Sequence, residues 1–140
     1  MLLSGLPGAG KDHYAREELA DFSVISLDAL REEHGISPVG PQGEVVMLAR
    51  EQAREHLSRG EPFAWNATSL TREIRAQCVR LFAGYGARVR IVYLEVPEER
   101  LRRQNRDRAH PVPEQVLDRL LDRWEVPELF EAHAVHYRTD

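Results

Sequence analysis

The 140-residue chain predicts an α/β fold, a five-stranded parallel sheet with helices on both faces. Three observations lead there. Short apolar runs alternate along the chain with stretches of helical period. One run, Val89 to Leu94, is almost unbroken, as in a strand buried on both faces. The first apolar run, Leu2-Leu3-Ser4, passes directly into Gly5-Leu6-Pro7-Gly8-Ala9-Gly10-Lys11, a glycine-rich turn placed between strand and helix signals.

Taken in order, residues 2–4 end a first strand and 11–20 form a helix. Residues 22–27 form a second strand ending at Asp28, followed by a brief helix to residue 33 and a Gly/Pro-rich loop over 34–43. A long helix over 44–59 carries Val45, Leu48, Ala49, Ala53 and Leu57 near the 3.6-residue period, and Gly60 stops it as a left-handed cap. Residues 62–65 form a third strand, ending in Asn66-Ala67-Thr68. A helix over 71–82 is expected to bury Ile74, Cys78, Leu81 and Phe82 on one face. Residues 88–96 form the fourth strand, and Pro97 opens the next helix at its first turn. Pro111-Val112-Pro113 breaks that helix, another runs over 114–124, and 135–138 is the last strand. Right-handed crossovers and the carboxyl-end rule for open parallel sheets collect the ends of the first three strands into one crevice.

Composition bounds the reading. The length suits a single domain over residues 1–140, and the apolar share of 42% is that of a globular protein. The first strand is short for a central one, so the domain is expected to be a module of a longer protein, possible fusion partners lying upstream. Neither a run of transmembrane length nor a signal peptide stands out, which predicts no membrane partner. The single Cys78 forbids an internal disulfide and suits a reducing cytoplasm. A net charge of −4 argues against sequence-blind coating of nucleic acid, yet residues 100–110 hold five arginines against one acid, Asp107.

Basic charge is supplied by eighteen arginines and one lysine, and that lysine is Lys11. The loop it closes has the form G-x-x-x-x-G-K. Such glycines let backbone N–H groups turn inward around a phosphate, at the positive end of the following helix. A lysine reaching over the loop meets the β- and γ-phosphates as a compact charge, which a planar guanidinium does not reproduce. Gly5, Pro7, Gly8, Ala9, Gly10, Lys11 and Asp12 are therefore the candidate nucleotide-binding residues. Asp12 stands where such loops usually carry Ser or Thr. A carboxylate is a hard oxygen ligand and suits Mg²⁺ directly or through a water; the alternative is an acid favoured by the helix dipole.

Four elements in order resemble the 5′-hydroxyl polynucleotide kinases, closest to the kinase modules of bacterial RNA-repair enzymes. The loop is similar to that family's G-x-P-G-[SA]-G-K. Asp28-Ala29-Leu30-Arg31 resembles its Asp followed three residues later by Arg, and Asn66-Ala67-Thr68-Ser69-Leu70 its third element. Asn105-Arg106-Asp107-Arg108 with Val112-Pro113 resembles its lid. The resemblance covers nearly the whole chain. It implies a P-loop NTPase/kinase fold with a helical lid. It also implies transfer of the γ-phosphate of ATP or another NTP, with Mg²⁺, to the 5′-hydroxyl end of RNA or DNA.

On that reading Lys11, Asp28 and Arg108 are catalytic. Asp28 accepts the hydroxyl proton, its rivals being a metal-supporting acid and a helix cap. Arg108 neutralises developing charge. Arg103 and Arg106 join the nucleotide site, where one arginine of the cluster can stack on the base. Arg31 grips an acceptor phosphate, or else forms an i, i+3 ion pair with Asp28. Asn66 and Thr68 bind the acceptor, or serve the turn. Arg72 and Arg75 either extend a phosphate track or form a solvated face. Two other functions remain open: a small-molecule kinase acting on a sugar, antibiotic or nucleoside, and a nucleotide-binding regulatory ATPase. The latter expects a second acid where Asn66-Ala67-Thr68 stands.

Overall fold

The structure is a computed structural model and describes residues 1–139. Five strands, β1 (Leu2–Ser4), β2 (Ser23–Ser26), β3 (Phe63–Asn66), β4 (Arg90–Glu95) and β5 (Ala134–Thr139), form one sheet in the order β2-β3-β1-β4-β5. Every neighbouring pair is parallel, with Leu2 opposite both Trp65 and Ile91. The helices are α1 (Lys11–Glu18), α2 (Leu27–His34), α3 (Gly43–Ser58), α4 (Arg72–Gly84), α5 (Glu98–Arg106) and α6 (Glu114–Arg123). A 3₁₀ turn, Leu129–Glu131, precedes β5.

Side-chain alternation along each strand builds two cores. Leu2, Ile25, Phe63, Trp65 and Ile91 face one way, meeting Leu27 and Leu30 of α2, the Val45-Ala49-Ala53-Leu57 stripe of α3, and Cys78 and Phe82 of α4. Leu3, Ala64, Val92 and Leu94 face the other way, against Ala15 of α1, Leu101 of α5 and Leu117 of α6. Burying each such aliphatic side chain contributes roughly 1.5–3 kcal/mol. With α2, α3 and α4 on one face and α1, α5 and α6 on the other, the sheet is doubly covered.

In α4 Cys78 and Phe82 are buried and Leu81 is half-buried as expected, and one position departs. Ile74 is 43% exposed, while Arg75 beside it is fully buried. Arg75 donates to the Ser69 and Leu70 carbonyls and pairs with Glu131 at 2.8 Å, both side chains being inside. Arg75 shares the inner face with Cys78 and Phe82, its guanidinium satisfied by two carbonyls and a carboxylate, as a buried charge requires. Arg75 is therefore no part of a phosphate track. Arg72 is exposed, pairs with Glu128 and lies over the Phe130 ring.

Candidate active site

The loop from Gly5 to Lys11 joins β1 to α1 at the carboxyl end of the sheet. Gly8 and Gly10 adopt φ of +92° and +98°, a region that side chains strongly disfavour. Gly8 has a second constraint: a β-carbon there would lie 2.4 Å from the Leu101 carbonyl of α5. The loop is thus packed directly against the arginine-rich helix. Lys11 folds back over the loop, its Nζ donating to the Gly5 carbonyl at 2.8 Å and the Leu6 carbonyl at 3.2 Å. Burial, and next the Arg108 guanidinium, pull its ammonium down to about 8, while Asp28 and Asp12 push it up.

Asp12 sits in the first turn of α1, and its Oδ1 accepts from Asn66 Nδ2 at 2.8 Å. Asn66 ends β3 almost completely buried, so the first and third motifs of the sequence meet through this bond. The turn after it is held to the loop, because the Gly5 amide donates to the Thr68 carbonyl at 2.9 Å. Ser69 adopts a φ of +46°, and its carbonyl accepts from both Ser4 Oγ and Arg75. The buried Arg75–Glu131 pair therefore braces the turn that carries Asn66 and Thr68.

Asp28 lies in the first turn of α2. The helix cap is Ser26, whose Oγ accepts from the Ala29 amide, so Asp28 is not needed for capping. Its carboxylate is held between two arginines: Oδ1 meets Arg31 at 2.7 Å and Oδ2 meets Arg108 at 2.9 Å. Arg31 is fixed from its other side by Gln42, which accepts from Nε at 2.7 Å. The Gln42 amide also donates to the Ser37 and Gly40 carbonyls, so one side chain organises the Gly/Pro loop around Arg31.

The arginine cluster divides by role. Arg102 is bound by Glu98, Glu114 and Asp118, which ties α5 to α6. Arg106 approaches Glu114 at 3.5 Å and is mostly exposed, as is Arg103. Arg108 alone of the cluster reaches Asp28. A cavity of about 370 Å³ lies against Leu6 and Ala9 of the loop, bordered by Glu95, Pro97, Leu101 and Trp124. His13 is at the surface.

Gln42 and Glu131 were not anticipated from the sequence, and Asn105 was read only as part of the lid motif, without its contact to Val112. Asn105 had a legible sign, a polar residue four positions after Leu101 on the buried stripe of α5. Gln42 and Glu131 had none, since each acts on a residue distant in the chain.

A family model described as an AAA domain matches residues 1–127. The chain belongs to that family. Among solved structures, this AAA domain is similar to a gluconokinase from Sinorhizobium meliloti 1021, at TM-score 0.68 and 20% identity, covering 99% of this chain and 80% of that one. A sugar kinase from Janibacter sp. HTCC2649 gives TM-score 0.70 and 20% identity over 97% of this chain and 83% of that one. Kti12 from Chaetomium thermophilum, solved with ADP-AlF3, gives 0.73 and 15% over 99% of this chain and 87% of that one. No curated protein matches the sequence. At such identities the likeness establishes the fold alone, a P-loop kinase fold. Among the described residues of the AAA domain, no helix is long and apolar enough to cross a membrane.

Proposed function

We propose that this AAA domain is a phosphotransferase that moves the terminal phosphate of ATP or another NTP to a hydroxyl, and that the hydroxyl is the 5′ end of RNA or DNA. The observation that carries the reading is Asp28 held between Arg31 and Arg108 beside Lys11. A carboxylate at the end of β2 is placed to accept the proton of a hydroxyl attacking in line, as the bridging P–O bond to the departing nucleoside diphosphate breaks. Lys11 and the loop amides hold the donor phosphates, and the cavity against Leu6 and Ala9 suits the donor nucleoside. Arg103 and Arg106 are exposed on the same helix and do not line this cavity, so their place in the donor site rests on the resemblance alone. Arg108 is released from Asp28 to meet charge on the phosphate in transit. Arg31, pinned by Gln42, stays on the acceptor side with Asn66 and Thr68 nearby.

The residues also fit Mg²⁺. Among the described residues there is no cluster of three His, Cys, Asp or Glu side chains for an all-protein cage. A single carboxylate, Asp12, oriented by Asn66, is the usual protein share where phosphates supply the remaining oxygens. When bound, the ion would neutralise charge on the donor phosphates.

A second reading is a small-molecule kinase acting on a sugar or similar alcohol. It is favoured by the gluconokinase and the sugar kinase among the structural neighbours, which speak for it more directly than for a strand acceptor. A cation such as Arg31 beside the base favours an anionic acceptor over a neutral alcohol, and a strand end supplies that anion as phosphate. Transfer from γ-labelled ATP to a panel of 5′-hydroxyl RNA, 5′-hydroxyl DNA and small alcohols including gluconate decides between them. Label on the oligonucleotides is the expected result, and label on the small alcohols alone overturns the strand reading.

A further inference from the structure

Asn105 is 1% exposed near the end of α5, and its polar atoms are satisfied in a particular way. Nδ2 donates to the Val112 carbonyl at 2.8 Å, and Oδ1 accepts from the Val112 amide at 3.1 Å. Its own carbonyl accepts from the Arg108 amide at 3.2 Å. Gly8 of the phosphate loop approaches so closely that a β-carbon there would stand 3.0 Å from the Asn105 amide nitrogen. One side chain thus closes residues 106–112 into a loop carrying Arg108, and backs that loop against the donor site.

We propose that Asn105 is a positioning residue for phosphoryl transfer, holding Arg108 in register with the phosphate loop. The inference rests on the reading of Arg108 as the residue that neutralises charge on the transferring phosphate. An apolar side chain of similar size would fill the space in α5 but leave both polar groups of Val112 unpaired at that point. The two-point clamp fixes the far end of the loop, so the guanidinium is delivered to one place rather than searching the crevice. Positioning of this kind acts on the transition state more than on nucleotide binding, because the arginine meets its full charge only there.

The test compares binding of ADP with binding of ADP plus aluminium fluoride, both with magnesium, by titration calorimetry. The proteins are the wild type, Asn105→Ala, Asn105→Asp, Arg108→Ala and the Asn105→Ala/Arg108→Ala double variant. Arg108→Ala is expected to weaken the fluoride complex by about tenfold or more and ADP by less than about threefold. Asn105→Ala should do the same at about fivefold or more, and the double variant should be no weaker than Arg108→Ala alone. Asn105→Asp keeps the volume and the acceptor for the Val112 amide but turns an oxygen on the Val112 carbonyl. It shows the same selective loss, and it carries the test should the alanine variant not fold. If Arg108→Ala loses selectivity while folded Asn105 variants bind as wild type, or if the losses add in the double variant, the inference is overturned. If Arg108→Ala itself keeps full selectivity, the reading of the lid arginine fails, and the inference falls with it.

Discussion

Arg108 and Asp28 lie 80 residues apart in sequence and meet in a 2.9 Å ion pair, close enough to Lys11 for both to perturb its ammonium. The side chains are 25% and 56% exposed, so solvent screens the pair and its worth is under about 1 kcal/mol. That weakness suits its place. On the proposed function, a donor phosphate beside Lys11 would offer Arg108 a stronger partner, and the departure of Arg108 would leave Asp28 an oxygen with which to receive a proton. Arg31 remains on the other oxygen and keeps the carboxylate oriented.

Asp28→Asn removes proton acceptance while keeping size and hydrogen-bonding reach. Phosphoryl transfer should fall by about 10²-fold or more, with ATP affinity changed little. Single-turnover transfer and nucleotide titration on the same preparation check this. A variant that transfers at the wild-type rate would reduce Asp28 to an anchor for its two arginines.

Lys11 sets a pH dependence. Its ammonium is drawn down to about 8 in the nucleotide-free fold, chiefly by burial. Donor phosphates favour the charged form and raise it. At pH 9 the free protein therefore holds Lys11 mostly neutral, and nucleotide binding takes up most of a proton; at pH 7 uptake vanishes. Affinity accordingly declines as pH rises through about 8. Calorimetry at pH 9 in two buffers of different ionisation enthalpy reads the uptake, and Lys11→Met should abolish it. Equal heats in the two buffers for the wild type would contradict the assignment.

Gly8→Ala tests the seam between phosphate loop and α5. The new methyl meets a φ of +92° and would lie 2.4 Å from the Leu101 carbonyl, a backbone atom that cannot swing aside. Strain of this kind costs about 1–3 kcal/mol, so the melting temperature should fall and nucleotide affinity with it. Gly10→Ala shares the φ but has open space around its β-carbon, and should cost less. Equal losses at the two positions would mean that contact with α5 is unimportant.

The strands and most helices were legible because each obeys a local rule. The apolar run over 88–96 contains β4 at Arg90–Glu95, and Gly60 takes the positive φ that ends α3. The phosphate loop was legible for the same reason, since glycine spacing is itself the geometry. Contacts between distant side chains were not. Periodicity placed Ile74 inside, but a buried arginine with Glu131, 56 residues on, outweighed one isoleucine. The Asp28–Arg31 pair was legible as an i, i+3 contact, but Arg108 was a separate signal. Their junction at one carboxylate, and the two amide side chains Gln42 and Asn105 behind them, depend on how helices and loops meet in space.

On the proposed function, Arg31 separates a strand acceptor from an uncharged alcohol. Its Nε is held by Gln42 and its Nη1 by Asp28, so the guanidinium is fixed beside the candidate base with its side chain 20% exposed. If the acceptor is a nucleic-acid end, this group faces a phosphate near the reactive hydroxyl. Arg31→Ala should then raise the KM for a 5′-hydroxyl oligonucleotide by about tenfold or more, leaving the KM for ATP within about twofold. The gap between variant and wild type should narrow as salt rises, because the lost contact is electrostatic. Gln42→Ala should show the same effect at smaller size, since it frees Arg31 without removing the charge. Nucleosides lacking phosphate should be poor acceptors for wild type and variant alike. A variant that weakens ATP instead, or that leaves oligonucleotide kinetics untouched, would move Arg31 off the acceptor path and favour the small-alcohol reading.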